Sequence, residues 1–289
     1  MVEKEALFVR TTLTFTAAAL ATGALALGLT ACGSSGSGSH ASDASGPLVV
    51  AASPTPHAQI LDFVRDHLAK KAGLDLQVKE FSDYVLPDTA TEQGEVGANF
   101  FQHKPYLDDF NKKNGTHIVP VVDVELEPLG LYSHKVHSLA GLSDGASVAV
   151  PNDTTNEARA LTLLADNGLI TLKAGTGQTA TPADITANPR HLTFKELEAA
   201  ELPRSLDDVD AGVVNGNYAI QAGLNPAKDA LVLEKAAGNP YANFLAVKKG
   251  NENDPRVRKL AELLNSPEVR TYIEDTFKGA VIPAFGKAA

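Results

Sequence analysis

The stretch VGANFFQHKPYLDDFNKKNG, residues 96–115, decides the fold class. Its apolar start, VGANFF, predicts a buried strand, and Pro105 stands near the start of a predicted helix, PYLDDFNKKNG. Gln102 and His103 lie where the strand becomes the helix, although the core of a strand has no need of polar side chains. A polar corner between a strand and a helix is therefore the unit to look for in the rest of the chain.

Strand and helix patterns alternate outward from this stretch in both directions. The strand-like segments are PLVVAA (47–52), LDLQVKEF (74–81), THIVPVVDVEL (116–126), ASVAVP (146–151), DVDAGVVNG (208–216), ALVLE (230–234) and NFLAVKK (243–249). The helical segments are HAQILDFVRDHLAKKAG (57–73), VLPDTATEQG (85–94), TNEARALTLLADNGLI (155–170), NYAIQAG (217–223) and a closing region at 254–277. Such alternation predicts an α/β fold with a mostly parallel sheet and helices on both faces. Ligands of these sheets gather at the carboxyl ends of the strands, so the polar corners are the expected binding site.

The corner VPNDTTNEARAL, residues 150–161, places a cation in the first turns of a helix. Thr154 or Thr155 can cap this helix, whose N-terminus offers free N–H groups. The planar guanidinium of Arg159 suits a carboxylate held by two hydrogen bonds. The alternative is that Arg159 pairs with Glu157 or with solvent on an exposed helix face.

Amides and rings stand at the other corners. Asn215 ends a strand in VVNGNYA and Asn243 begins one in GNPYANFLA, and each is either a ligand-binding amide or an ordinary turn asparagine. His103 either bonds a ligand or is a surface histidine. Of the adjacent rings Phe100 and Phe101, one must face the core, and we expect it to be Phe100. A guanidinium, amides and rings without a nucleophile–base pair suit a zwitterion with an apolar side chain, which is an amino acid.

The N-terminal segment predicts a lipoprotein signal. Residues 11–29, TTLTFTAAALATGALALGL, carry no charge, follow basic residues and precede small ones. Cys32, the only cysteine, ends LTAC, which resembles the bacterial lipobox and implies cleavage before Cys32 and acylation there. Several acyl chains make a stable anchor. The Gly/Ser-rich residues 33–46 then predict a flexible tether, whereas the alternative for residues 11–29 is a transmembrane helix.

Other functional classes find less support in the sequence. A net charge of −10 argues against nucleic acid as a partner. GTGQTA (175–180) has the glycine spacing of a dinucleotide site, but no clear strand precedes it and Thr181-Pro182 follows, so no helix opens there. The eight histidines are scattered, whereas a metal carrier brings histidines and acids together. We therefore expect no enzyme activity, no cofactor and no metal. A third class, a surface adhesin without a small ligand, would leave the polar corners unexplained.

Long strings of the chain resemble one family. FSDYVLPDTATEQGEVGANFFQHKPYLDDF (81–110), SVAVPNDTTNEARALTLL (147–164) and KGAVIPAF (278–285) resemble the NlpA/methionine-binding lipoproteins, and the similarity covers roughly residues 47–285. The resemblance implies the substrate-binding component of a methionine ABC importer. It also implies a two-lobed periplasmic-binding-protein fold, type II-like, with two mixed sheets flanked by helices, two crossing strands and a ligand cleft between the lobes.

The resemblance also implies how the chain is organised and where it acts. The implied segments are a signal peptide at 1–31, lipidated Cys32 with a tether at 32–46, one lobe at 47–128 and 236–289, and the other lobe at 129–235. The partners would be L-methionine, a permease and its cytoplasmic ATPase. The protein would be a monomer held by lipid on the extracytoplasmic side of a bacterial cell membrane. The alternatives are another small amino acid or a methionine derivative and, with less support, a metal-binding lipoprotein.

The family's ligand positions fall on matching residues of this sequence. They are Tyr84, Phe101, His103, Tyr106, Asn156, Arg159, Asn215 and Asn243. By the resemblance, Arg159 holds the carboxylate and the three asparagines orient the carboxylate and the ammonium. The rings and the imidazole enclose the thioether chain, where sulfur–ring contacts contribute modestly.

Overall fold

Two mixed β-sheets form the framework of the part of the chain that the structure describes, which is residues 46–288 of a computed structural model. The predicted signal peptide at 1–31, the predicted lipidation of Cys32 and the predicted tether, apart from Gly46, lie outside the described residues. Within residues 46–288, no helix combines the length and the apolar character needed to cross a membrane.

The strands and helices follow the predicted alternation closely. The strands are β1 Leu48–Ala52, β2 Leu76–Glu80, β3 Ala98–His103, β4 Ile118–Leu126, β5 Gly130–Tyr132, β6 Ser147–Pro151, β7 Thr171–Leu172, β8 Ile185–Ala187, β9 Thr193–Leu197, β10 Ala211–Val214, β11 Val232–Leu233, β12 Asn243–Lys248 and β13 Ile282–Lys287. The α-helices are α1 Gln59–Val64, α2 Leu86–Gln93, α3 Lys104–Asn114, α4 Thr154–Asp166, α5 Leu202–Ser205, α6 Gly216–Gln221, α7 Pro226–Asp229, α8 Pro255–Leu264 and α9 Pro267–Phe277. Helical turns at Pro54–Ala58 and Arg65–Ala69 extend α1 at both ends.

The first sheet has six strands in the order β13-β4-β12-β3-β1-β2. β1 pairs in parallel with β2 and β3, whereas β12 runs antiparallel to both β3 and β4. The alternation pattern predicted a mostly parallel sheet, and this prediction is wrong here. The reason is that β12 and β13 return from the C-terminal part of the chain and pair with strands that run the opposite way.

The second sheet has five strands in the order β11-β5-β10-β6-β9. β6 pairs in parallel with β9 and β10, and β5 is antiparallel to β10 and β11. The two mixed sheets flanked by helices confirm the predicted α/β class. The chain passes between the sheets twice, after β4 and before β12. The predicted lobe boundaries near these crossings stay predictions.

Each sheet has its own apolar core, which holds the strand ends in place. Phe100 of β3 packs with Leu61 and Leu260 from the helices on the first sheet. Val148 of β6 packs with Leu161 of α4 on the second. All five side chains are essentially inaccessible to solvent. Burying a side chain of this size contributes about 1.5–3 kcal/mol, so the sheets are rigid supports for what lies at their ends.

A buried polar network fixes the other face of β3. The amides of Asn99 and Gln102 both donate to Oδ1 of Asp88, at 3.0 and 2.6 Å. Asn99 also donates to Thr91 Oγ1 at 2.8 Å. Burial raises the pKa of Asp88 to about 7, although the hydrogen bonds from Gln102 and Asn99 act to lower it. This network joins α2 to the strand that ends at His103.

We expect Asp88→Asn to make stability less dependent on pH. Because the pKa of Asp88 is raised to about 7 in the folded chain, the contribution of this group to the free energy of unfolding is fully present below the unfolded pKa of about 3.9. That contribution is lost as the pH rises through about 7. Between about pH 5 and about pH 8 the wild-type free energy of unfolding should fall by about 3 kcal/mol relative to Asp88→Asn. Urea unfolding of both proteins checks this, and a constant difference between them would refute it.

Candidate functional site

A cavity lies where strand ends from both sheets meet. Its empty volume, with its open mouth included, is about 350 Å³. The lining residues are Tyr84, Phe101, Gln102, His103, Tyr106, Glu127, Asn156, Arg159, Asn215, Gly216, Asn217 and Asn243. They stand just before α2, at the end of β3, just after β4, in the first turns of α3 and α4, at the corner between β10 and α6, and at the start of β12.

All eight predicted ligand-binding side chains line this one cavity. The structure thus brings the predicted corners together, while their contact with a ligand stays a prediction. Four further lining residues were not predicted: Gln102, Glu127, Gly216 and Asn217. A signal for Glu127 was available, because Glu125 and Glu127 stand two apart at a strand end and therefore share one face of it.

The two adjacent phenylalanines of β3 point to opposite faces of the strand. Phe100 lies in the core of the first sheet, with its ring edge-on to that of His57 at a centroid distance of 4.7 Å. Phe101 lines the cavity. The expectation that Phe100 turns into the core is confirmed, and it follows from the two-residue period of a strand.

Three rings form an apolar wall on one side of the cavity. The ring of Tyr84 lies 5.9 Å from that of Phe101 and 5.7 Å from that of Tyr106, measured between centroids. Hydrogen bonds hold the tyrosines, since the Tyr106 hydroxyl donates to the Tyr84 carbonyl at 3.0 Å. The Tyr84 hydroxyl donates to Asn217 Oδ1 at 2.6 Å. Contacts within the protein therefore hold these rings in place.

His103 is a neutral hydrogen-bonding group. The alternative that His103 is a surface histidine is wrong, because the side chain is buried. Burial and then the charge of Arg159 lower the pKa of His103 to about 3. Its Nδ1 accepts from the backbone N–H of Tyr106 at 3.3 Å and so caps α3. Its Nε2 consequently carries the proton and donates to Asn156 Oδ1 at 3.1 Å.

A carboxylate sets the direction of the amides around the cavity. Asp153 caps α4 and accepts from Asn156 Nδ2 at 3.1 Å, which turns Asn156 Oδ1 the other way. Asn215 Nδ2 donates to that Oδ1 at 3.0 Å. Asn215 Oδ1 is left buried without a hydrogen-bond partner among the described residues, and so is Asn217 Nδ2. The cavity wall thus offers one unused acceptor and one unused donor in fixed positions.

Arg159 is buried and already engaged on one side. Its Nε donates to Glu234 Oε1 at 3.0 Å, and its Nη2 donates to Glu234 Oε2 at 2.5 Å and to the Glu127 carbonyl at 3.0 Å. Its guanidinium lies 4.2 Å from the centroid of the Tyr241 ring. The expected alternative of a pair with Glu157 is wrong, because residues two apart on a helix do not face each other. Nη1 has no hydrogen-bond partner within residues 46–288, so one edge of the guanidinium stays available.

Histidine and acids do meet at one place, contrary to the expectation from the sequence. His57, Glu125 and Glu127 are all buried, and one ligand atom from each lies within 4.8 Å of the others. His57 follows β1, and the two acids stand at the end of β4 and just after it, so the fold joins residues that the sequence separates. Only Glu127 of the three lines the cavity.

Comparison with known proteins identifies the family. Residues 48–285 match the family model described as NlpA lipoprotein. The chain belongs to the NlpA lipoprotein family. This NlpA-family chain is 43% identical over 230 residues to the membrane lipoprotein TpN32 of Treponema pallidum, which covers 79% of this chain and 85% of that protein. It is 41% identical over 240 residues to the methionine-binding lipoprotein MetQ of Bacillus subtilis, and the match covers 82% of this chain and 87% of that protein.

A solved NlpA-like structure shares the fold. A nutrient binding protein from Burkholderia cenocepacia, solved bound to methionine, matches with a TM-score of 0.80 and 45% identity. The match covers 82% of this chain and 100% of that chain. The two mixed sheets of the NlpA-family chain are therefore an arrangement already seen in crystals of related binding proteins.

Proposed function

We propose that this NlpA-family chain is a substrate-binding protein that captures methionine outside the cytoplasm and delivers it to an ABC importer. Two observations support the proposal. Relatives are named as methionine-binding lipoproteins, and one related structure was solved with methionine bound. The cavity of this chain also has the two halves that such a ligand needs, one charged and one aromatic.

One arrangement carries the proposal: the Arg159 side chain lines the same cavity as a wall of rings. Nη1 of Arg159 would donate to a ligand carboxylate, and Asn217 Nδ2, which has no hydrogen-bond partner within residues 46–288, would be a second donor. Tyr84, Phe101 and Tyr106 would enclose the side chain, where a thioether gains from contact with ring edges. A free amino acid with an apolar, sulfur-containing side chain fits both halves.

The three asparagines would have different roles in binding the ligand. Asn156 has protein partners at both ends of its amide, so it would orient Asn215 rather than bond the ligand itself. Asn215 Oδ1 would accept from the ligand ammonium. Asn243 donates to Glu125 at 2.9 Å, which leaves its own Oδ1 for the cavity. His103, neutral and buried, would close the pocket beside Tyr106.

The larger assembly is proposed on the same grounds. The lobes would be residues 47–128 with 236–289, and residues 129–235, and each would contain one of the two sheets. Lipid on Cys32 would hold the protein, as a monomer, on the outer side of the cell membrane, where it would meet a permease with a cytoplasmic ATPase.

We propose a binding protein rather than an enzyme. GLSDG (141–145) has the G-x-S-x-G spacing of a hydrolase nucleophile, but its first residue ends a helical turn at Leu139–Gly141, and β6 follows. A nucleophile elbow needs a strand before the serine and a helix after it. The cavity lining likewise contains no serine, cysteine or lysine.

The molecules that the purified protein retains test the proposal. A tightly held ligand survives purification, so denaturing the protein and weighing the released small molecules identifies it. We expect methionine at close to one molecule per chain. Another amino acid or a methionine derivative in its place would overturn the ligand assignment and leave the fold intact.

Phe101→Ala should lower the preference for methionine over other amino acids more than it lowers the affinity for amino acids in general. The substitution removes one ring from the apolar wall and leaves Arg159 in place. We expect the preference for methionine over alanine to fall about tenfold. Competition binding measures this ratio, with Phe285→Ala as the control because Phe285 packs against Arg270 outside the cavity. An unchanged ratio in Phe101→Ala would contradict the assignment.

A further inference from the structure

An imidazole and two carboxylates form a buried cluster at the edge of the first sheet. Nε2 of His57 lies 3.1 Å from Glu125 Oε1 and 3.3 Å from Glu127 Oε1. The exposed fractions are 1% for His57, 0% for Glu125 and 6% for Glu127. Acids are rarely buried to this degree unless a cation accompanies them. His57 and Glu125 do not line the cavity, so amino-acid binding gives no reason for their burial.

The described part of the chain does not balance the charge of this cluster. Both ring nitrogens of His57, Glu125 Oε2 and Glu127 Oε1 are buried and have no hydrogen-bond partner within residues 46–288. The nearby Arg159 is paired with another carboxylate, that of Glu234. A neutral imidazole therefore leaves two negative charges in the cluster, and a protonated imidazole still leaves one. A divalent cation would cancel both carboxylates.

The spacing of the three side chains suits a small metal ion. One ligand atom from each of them lies within 4.8 Å of the others. Zinc binds imidazole nitrogen and carboxylate oxygen at about 2.0–2.2 Å, so two ligands of a tetrahedral site stand about 3.3–3.5 Å apart. The separations of 3.1 and 3.3 Å between the imidazole nitrogen and the two carboxylate oxygens are close to this distance. The ligand atoms would therefore move little to hold an ion.

Neighbouring groups orient the two carboxylates toward the imidazole. Asn243 Nδ2 donates to Glu125 Oε1 at 2.9 Å, which is the kind of contact that fixes a metal-binding carboxylate. The other oxygen of Glu127, Oε2, lies against the start of α6, because a Cβ at Gly216 would stand 2.8 Å from it. Oε1 of Glu127 is thus the oxygen that approaches His57. Both acids are held in place without a metal ion.

We infer that His57, Glu125 and Glu127 form a site for one divalent metal ion of the zinc type, with water as the fourth ligand. The imidazole favours such an ion over calcium or magnesium, which take oxygen ligands. The ion is a resident of the fold and not transported cargo, since its ligands are buried where the turn after β1 meets the end of β4. It would tie these two segments together. The inference goes beyond the proposed function and does not depend on which amino acid the cavity takes.

Zinc titration of the wild-type chain, purified without a histidine tag and stripped of metal by a chelator, tests the site without any substitution. We expect one zinc ion per chain. X-ray absorption at the zinc edge should show one imidazole, with oxygen as the other ligands. No stoichiometric binding would mean that the cluster holds only protons, and it would overturn the inference. Two or more imidazoles, or a sulfur atom, would overturn it by placing the ion elsewhere, for example at the exposed His134 and His137.

His57→Gln and Glu125→Gln each remove one ligand of the proposed ion. We expect each to bind zinc at least about 100-fold more weakly than the wild type, because losing a group that merely orients a ligand already costs about 10–100-fold. Zinc should also raise the Tm of the wild type and not that of either variant. His191→Ala is the control, since His191 contacts Asp144 on the surface.

The unfolding curves separate a lost site from a lost fold. A cooperative transition followed by circular dichroism shows that a variant is folded, and folded variants with wild-type zinc affinity would overturn the inference. If neither variant folds, the ligands seen by X-ray absorption in the wild type decide. A wild-type chain that binds zinc in this way and no methionine would contradict the proposed function alone.

Discussion

Arg159→Ala should lose at least about 100-fold in affinity for methionine and for any other free amino acid. A charged hydrogen bond contributes about 1.5–3 kcal/mol, and truncating one partner of a buried charge pair costs about 2–5 kcal/mol. Arg159 is buried on α4 with one nitrogen unpaired within residues 46–288, so a ligand carboxylate would lose its main donor. Equilibrium binding of labelled methionine measures the loss.

The partner of Arg159 complicates that experiment and also sharpens it. Removing the guanidinium leaves Glu234 without its cation, and that unpaired carboxylate could repel the ligand by itself. The double variant Arg159→Ala/Glu234→Ala removes both charges and should remain as weak as the single variant. Recovery of wild-type affinity in the double variant would contradict the carboxylate role. Arg190→Ala is a control, since Arg190 bonds backbone carbonyls away from the cavity.

Cys32→Ser should abolish incorporation of labelled palmitate into the protein. Cys32 is the only cysteine and stands at the end of the lipobox-like LTAC, so no other thiol can take its place. We expect the effect to be all or none. A chain that starts at residue 33 should also stay in the soluble fraction, because a stable anchor needs more than one acyl chain and this chain would carry none.

The control for the lipid anchor is a neighbouring substitution that spares the thiol. Ser34→Ala should incorporate label and sediment with membranes like the wild type. Label in the Cys32→Ser protein would refute lipidation at this residue. Sedimentation of the chain from residue 33 would show an anchor other than lipid.

Sequence patterns predicted the long elements and failed at short edge strands. α4 and β3 were predicted from the periodicity of their apolar residues, but the predicted caps of α4, Thr154 or Thr155, are wrong, because Asp153 accepts from the Asn156 N–H and is the cap. β9 and β13 lie at sheet edges and carry polar residues, glycine or proline, so their period is weak. The direction of β12 could not be predicted either, because pairing with β3 and β4 depends on contacts between distant parts of the chain.

The site was predictable in its residues and not in its charge pairs. The corner motifs and the family resemblance pointed to side chains such as Phe101 and Asn215, which the structure brings to one cavity. The partner of Arg159 is Glu234, 75 residues along the chain, and no local pattern connects them. His57 and Glu127 meet only because β1 and β4 lie in the same sheet. Such pairs form only when distant parts of the chain fold together, so the periodicity of the sequence does not predict them.

Calorimetric titration of the refolded, ligand-free protein with L-methionine tests the account most directly. Refolding matters because retained ligand would hide binding. We predict saturation at one methionine per chain. Protein that has been saturated with methionine before the titration should give no heat of binding. No heat with methionine, together with heat from a different small molecule, would contradict the central claim that this cavity is built for methionine.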